Sequence, residues 1–281
     1  MKPSLIALCA LIFLSHTALA QKAGMPSKPF PLGITAQIQS AAMGEKRILN
    51  IYLPDGYSPD SAATYPVIYL LDGSANEDFI HVTGVVQFLT MIEAMPKSIV
   101  VGVANVDRKR DFTFPTTIAK DKASYPTTGG SAKFITFLEQ ELQPYIRKSY
   151  KTNSSNTLIG QSLGGLLATE VLLRKPYLFD DYIIVSPSLW WDDESLLAKA
   201  PALLAKGASQ KPIRACILVG AEGRQMEGDA KRLNELITAS GQKNLHASFM
   251  PLPQENHLTI LHNAVYKALQ VLNPRVYEQA K

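Results

Sequence analysis

Cysteine is nearly absent from this sequence: Cys9 and Cys216 are its only two. Cys9 sits in a short apolar run at the N-terminus, so its removal would leave Cys216 without an intramolecular partner. A disulfide framework is thereby excluded, and the fold must rest on a buried core, which a chain of 281 residues is long enough to form. Charge of one sign is also scarce. Lys and Arg number 28 against 24 Asp and Glu, a formal net charge of +4, and the acidic residues are spread throughout. That balance gives no support to nucleic-acid binding. Internal repeats and low-complexity segments are missing as well.

The first residues read as an export signal. Lys2 supplies the positive start, Leu5 to Leu14 the apolar run, and Ala18-Leu19-Ala20 the small-x-small cleavage pattern. The run falls short of the roughly 20 residues that span a bilayer, so no integral membrane segment is expected after signal removal. Cys9 follows Leu8 rather than a small residue, which argues against a lipoprotein. The expected organisation is a signal peptide over 1–20, an extended proline-containing arm over 21–33, and one domain over 34–281, exported to the periplasm or secreted.

Within that domain two patterns alternate. Ile38–Ser40 and Arg47–Leu53 flank Gly44 and suggest an antiparallel hairpin. Val67–Leu71, Ile99–Val103, Tyr182–Val185 and Cys216–Val219 are short continuous apolar runs, as expected of strands buried on both faces. Segments of helical period lie between them: Ala132–Gln143, with Pro144 marking its expected end, then Leu163–Leu173, Asp229–Ile237 and Leu258–Leu272. The fold class is therefore α/β, a mostly parallel central sheet with helices on both faces. The stretch Asn105–Gly130 has no clear period and reads as a lid or binding loop.

Gly160-Gln161-Ser162-Leu163-Gly164 is a G-x-S-x-G pattern placed between a strand, Thr157–Ile159, and a helix. Glycines on both sides let the backbone turn sharply and present the Ser162 hydroxyl at the sheet edge. A serine hydroxyl needs a base within hydrogen-bond reach. Among the histidines, His246 falls on a strand, His81 begins a helix-like segment and His262 lies inside the last helix. His257 alone follows the terminal strand and a turn and precedes a helix, the place of the base in the hydrolase topology. A carboxylate is expected after the preceding strand, where Ala221-Glu222 follows Gly220; Glu227 and Asp229 are the alternatives. One oxyanion donor would be the backbone N–H of Leu163, the other a backbone N–H of the loop Asp72-Gly73-Ser74-Ala75.

Tyr65-Pro66-Val67-Ile68-Tyr69-Leu70-Leu71-Asp72-Gly73 resembles a segment of the esterase family that takes in esterase D-like enzymes, enterochelin and related siderophore esterases, and the mycolyltransferase antigens. Ile99–Val103 with Asn105, the Asp107–Asp111 run, Gly160–Gly165, Ser186-Pro187-Ser188-Leu189-Trp190-Trp191 and Glu255-Asn256-His257 extend the resemblance from about residue 34 to the C-terminus. The resemblance implies an α/β-hydrolase fold and a serine hydrolase of carboxylic esters, with Ser162 and His257 as nucleophile and base. It also implies Ser74 as the second oxyanion donor. No cofactor and no metal is expected, and the partner is a small-molecule ester. Trp190 and Trp191 are candidates to pack an acyl chain or aromatic ring, and Arg108 and Arg110 to attract an anionic substrate such as an iron-loaded siderophore. Acyl transfer and a catalytically inactive binding protein stand as alternatives to hydrolysis.

Overall fold

The computed structural model describes residues 28–207 and 209–274. The expected signal peptide and residues 21–27 of the expected arm lie outside the described residues. Residues 28–31 form no helix or strand and belong to a separate short unit, and the second unit starts at Leu32.

The second unit is built on one eight-stranded sheet. Its strands are β1 (Ile34–Ser40), β2 (Glu45–Tyr52), β3 (Tyr65–Leu70), β4 (Ile99–Val103), β5 (Thr152–Gln161), β6 (Asp181–Val185), β7 (Ile213–Gly220) and β8 (Leu245–Leu252). They lie in the order β1-β2-β4-β3-β5-β6-β7-β8. The first two pairings are antiparallel and all others parallel. Gly44 closes the β1–β2 hairpin at φ +69°, a region that a residue with a Cβ enters only at a cost.

The helices are α1 (Phe79–Met91), α2 (Arg108–Asp111), α3 (Ala119–Ser124), α4 (Ser131–Phe137), α5 (Gln143–Ser149), α6 (Leu163–Arg174), α7 (Trp191–Lys206), α8 (Arg224–Ala239) and α9 (Ile260–Leu272). Successive residues of a strand face opposite ways, and the two sheet faces accordingly nucleate two cores. Val67, Tyr69, Val101, Leu158, Ile184 and Ile217 pack with residues of α4 to α8. Ile68, Leu70, Val100, Ile159, Ile183 and Leu218 pack with α1 and α9. Helices on both faces of a largely parallel sheet, with an antiparallel edge at β1 and β2, make the α/β-hydrolase fold. Cys216 is buried in the second core as a free thiol.

Pro144 corrects one expectation. It opens α5 instead of ending the preceding helix. A π-helical turn, Leu138–Leu142, joins α4 to α5, and the Gln143 N–H reaches back to the Leu138 carbonyl. Proline is tolerated in the first turn of a helix, where its missing N–H costs little, and the wide turn before it relieves the ring's clash with the preceding carbonyl.

Candidate active site

The chain direction reverses its side of the sheet between β4 and β5, so the loops on either side of β3 diverge at the carboxyl ends of β3 and β5. Such switch points leave a crevice in open α/β sheets. Here the crevice is framed by three non-glycine residues at positive φ, each just past a strand: Asp72 at +54° after β3, Ser162 at +58° after β5, and Ser186 at +43° after β6. Left-handed backbone at such residues costs on the order of 1–3 kcal/mol each and persists only where the surroundings enforce it.

Around Ser162 the enforcement comes from glycine. A Cβ at Gly160 would overlap the Gly164 carbonyl, and one at Gly165 would lie 2.9 Å from both Pro187 Cα and the Val185 carbonyl oxygen. The Ser162 N–H donates to the Val185 carbonyl at 3.0 Å, which completes the sharp strand-to-helix turn. Leu163 opens α6, so its N–H has no partner within the helix. Across the crevice the Asp72–Asp78 loop is held from three sides. The Gly73 N–H donates to Val103, Asp78 N–H donates to the Asp72 carbonyl, and Asn50 Nδ2 donates to the Gly73 carbonyl at 2.8 Å. A Cβ on Gly73 would overlap the backbone of Gly102, and the converse also holds. The Ser74 N–H donates to no backbone carbonyl among the described residues. Both expected oxyanion donors are thus free N–H groups on braced backbone.

His257 follows β8 on a loop whose carbonyl receives Gln161 Nε2 at 2.6 Å. That bond ties the His257 backbone to the residue preceding Ser162. His257 Nδ1 lies 2.5 Å from Glu222 Oε2. The side chain of Glu222 is 3 % exposed and that of His257 41 %, so the carboxylate is enclosed while the imidazole reaches the crevice. The Glu222 and His257 loops are themselves joined: the Ala221 N–H donates to the Glu255 carbonyl at 2.7 Å. The two alternative acids have other surroundings. Glu227 Oε1 accepts the N–H groups of Glu222 and Gly223 at 3.0 and 2.9 Å. Asp229 is buried on α8, where desolvation, then the nearby Glu194 carboxylate, pushes its carboxyl up to about 6. Ser162 Oγ lies 3.3 Å from Ser188 Oγ.

Three substrate-binding expectations change. Trp191 is fully buried and donates Nε1–H to the Phe114 carbonyl at 2.9 Å; it is a core side chain. Arg110 is taken up by Glu45 at 2.6 Å and Asp111 at 2.7 Å, in a cluster that includes the wholly buried Arg47–Asp111 pair. Arg108 grips both carboxylate oxygens of Asp72, at 2.6 and 2.9 Å, and its Nη2 also donates to the Gln161 carbonyl at 3.3 Å. Burial raises the Asp72 carboxyl, and the Arg108 guanidinium opposes that rise. Arg108 therefore braces the left-handed Asp72 against the strand that carries Ser162.

Trp190 is half-buried and lines a cavity of about 720 Å³ beside Glu222. Ile118, Lys120 and Asp121 from the Asn105–Gly130 stretch, Asp193, and Gln225 and Met226 from α8 complete the wall. The same stretch is anchored below by buried Phe112 and Phe114, and Thr116 Oγ1 donates to Asp192 at 2.8 Å. Gln161, Ser186, Ser188 and the part of the cavity wall formed by Asp193, Gln225 and Met226 had no role in the sequence reading. Ser186 alone had an available signal, since it directly follows the strand next to the nucleophile's. Among the described residues no group of three or more His, Cys, Asp and Glu is arranged to hold a metal ion.

The family model described as "Putative esterase" matches residues 40–260. Ferri-bacillibactin esterase BesA of Bacillus subtilis is 30 % identical over 269 residues, 88 % of this chain and 92 % of that protein. Among solved structures, an IroE-like serine hydrolase from Shewanella oneidensis superposes with a TM-score of 0.76 at 30 % identity, covering 86 % of this chain and 80 % of the other. The BES protein from Bacillus cereus gives 0.77 at 28 % identity, covering 88 % and 98 %. The chain belongs to this esterase family.

Proposed function

We propose that this member of the esterase family is an exported serine hydrolase that cleaves the carboxylic esters of a siderophore through an acyl-enzyme on Ser162. The observation that carries the reading is the 2.5 Å contact of His257 Nδ1 with the enclosed Glu222 carboxylate, on a loop fastened to the residue before a strained serine. With Nδ1–H directed at Glu222, the imidazole presents Nε2 as the proton acceptor.

The chemistry follows from that tautomer. Ser162 Oγ attacks the ester carbonyl while His257 Nε2 takes its proton, and the carbonyl electron pair moves to oxygen. The N–H groups of Leu163 and Ser74 receive the oxyanion, each worth about 3–4 kcal/mol in the transition state. Collapse expels the alcohol, which takes the proton back from His257. Water then repeats the sequence and releases the acid. The His257 side chain is 41 % exposed, so water has access to the base that would activate it against the acyl-enzyme; this favours hydrolysis over transfer to another alcohol.

The siderophore assignment draws on the ferri-bacillibactin esterase relative, which aligns over most of the chain. The cavity volume of about 720 Å³ also suits a bulky acyl group rather than acetate, since sites for drug-sized ligands run to roughly 300–1,000 Å³. Trp190 supplies an aromatic wall. Export rests on the N-terminal apolar run and its cleavage pattern.

A kinetic panel of trilactone siderophores, feruloyl esters and short acyl esters tests the reading, alongside labelling by a fluorophosphonate probe. The expected result is covalent labelling of Ser162 and the highest kcat/KM on a trilactone. Absence of labelling and of turnover on every ester, with a known serine hydrolase labelled in parallel, would overturn it. Fastest turnover on short acyl esters would overturn the siderophore part alone.

A further inference from the structure

The segment Ser186-Pro187-Ser188 touches both ends of the proposed triad. Ser186 is fully buried at the end of β6. Its N–H donates to the Leu218 carbonyl of β7 at 2.7 Å, and its hydroxyl donates to Glu222 Oε1. The Gly220 N–H supplies that same oxygen with a second donor at 3.0 Å. Glu222 Oε2 is left to face His257. Two residues on, the Ser188 N–H donates to the Ser162 carbonyl at 3.0 Å, and the two serine hydroxyls lie 3.3 Å apart. The left-handed φ of +43° at Ser186 is what turns the chain so that one short segment reaches the acid with its first residue and the nucleophile with its third.

We propose that Ser186 is a positioning residue, whose hydroxyl locks the Glu222 carboxylate in the rotamer that orients His257. The inference rests on Glu222 being the acid of the triad. A buried carboxylate keeps a fixed direction only when its lone pairs have partners. Here Ser186 and Gly220 saturate one oxygen, so the other has a single direction in which to point. Without the hydroxyl, the carboxylate can rotate about its terminal torsion, which is soft, and the imidazole loses its orienting partner. Substrate contacts are untouched, so the loss falls on kcat and not on KM.

Two substitutions separate this role from a structural one. Ser186→Ala removes the hydroxyl and keeps a Cβ at positive φ; Ser186→Gly removes the hydroxyl and the strain together. The glycine variant is therefore expected to have a melting temperature at or above that of the alanine variant. Both are expected to show kcat about 10- to 100-fold below wild type, the range for losing a hydrogen bond to a charged group, with KM within about twofold. Fluorophosphonate labelling should slow by the same factor, because it draws on the same Ser162 proton transfer. If either variant keeps wild-type kcat, the proposal is overturned, since neither has the hydroxyl. Glu222→Gln serves as the control. Should it lose turnover while both Ser186 variants keep theirs, only the Ser186 role fails; should it keep wild-type turnover, the assignment of the acid fails and the Ser186 role with it.

Discussion

The two ends of the sheet make instructive opposites. At the carboxyl ends of the strands, Asp72, Ser162 and Ser186 sit in left-handed backbone, held there by glycine contacts and side-chain hydrogen bonds. At the amino ends the strands start from ordinary pairings. Arg214 forks onto both oxygens of Asp181 at 2.7 and 2.8 Å, Asp180 accepts the Asn156 N–H at 2.8 Å, and Gln143 Nε2 donates to the Leu178 carbonyl at 2.9 Å. Each end has a sizeable cavity. That at the amino end, of about 540 Å³, is lined by Arg174, Tyr177, Lys206, Ser209 and Lys211 among others; its serine hydroxyl donates to the Lys211 carbonyl at 2.8 Å, and no imidazole lines it. A concavity marks neither end as special. What differs is that one end stores strain and turns a buried carboxylate onto an imidazole, while the other uses its buried carboxylate, Asp181, to fasten strands together.

Five substitutions probe that contrast, those with the largest expected effects first and Trp190→Ala given beside its neighbour. Ser162→Ala should reduce turnover by about 10⁴-fold or more and abolish probe labelling, with a melting temperature close to wild type; retained turnover would remove the nucleophile from the strained end. Trp191→Ala tests whether the catalytic end is also structural. Emptying a wholly buried indole site should cost about 3–5 kcal/mol by denaturant unfolding, whereas Trp190→Ala should leave stability nearly unchanged and raise KM on aromatic esters. Asp181→Ala addresses the opposite end, where a loss of about 1–2 kcal/mol with unchanged kcat/KM is expected. A fall in kcat/KM there would show the two ends to be coupled.

Asp229→Asn gives the smallest effect, on the order of 1 kcal/mol, and it depends on pH. The folded-state carboxyl titrates near 6, above its ordinary value of 3.8. A raised acid binds its proton more tightly when folded, so stability falls as pH rises from about 4 to 6. The asparagine variant should therefore melt higher than wild type at pH 7–8 and lose that advantage below about pH 4. Its turnover should match wild type, while that of Glu222→Gln should not.

The strands were legible because a parallel sheet buried on both faces demands uninterrupted apolar runs, as at Ile99–Val103, and the elbow because glycine, serine and helix start fall together. His257 and Glu222 were legible as candidates only by their positions after the last two parallel strands. What sets Glu222 apart from Glu227 and Asp229 in the structure is its contact with His257 Nδ1, which no local pattern announces. The difference between the two tryptophans, Trp191 buried and Trp190 lining the cavity, was hidden for a related reason. They are adjacent at a helix start that runs into three left-handed residues, Asp192, Asp193 and Glu194, so no regular period says which ring turns inward. The arginine run resembled an open cationic patch because two of its carboxylate partners, Glu45 and Asp72, lie many residues away in sequence.

The cavity wall has a consequence of its own. Ile118 and Asp121 belong to α3 and its approach, a helix without a single buried residue, and Gln225 and Met226 to the first turn of α8. On the proposed mechanism the reacting groups hang instead from the strand ends, and of the wall residues Glu222 alone takes part in proton transfer. The others can then be exchanged residue by residue to suit a new ester while the path from Ser162 to His257 stays as it is.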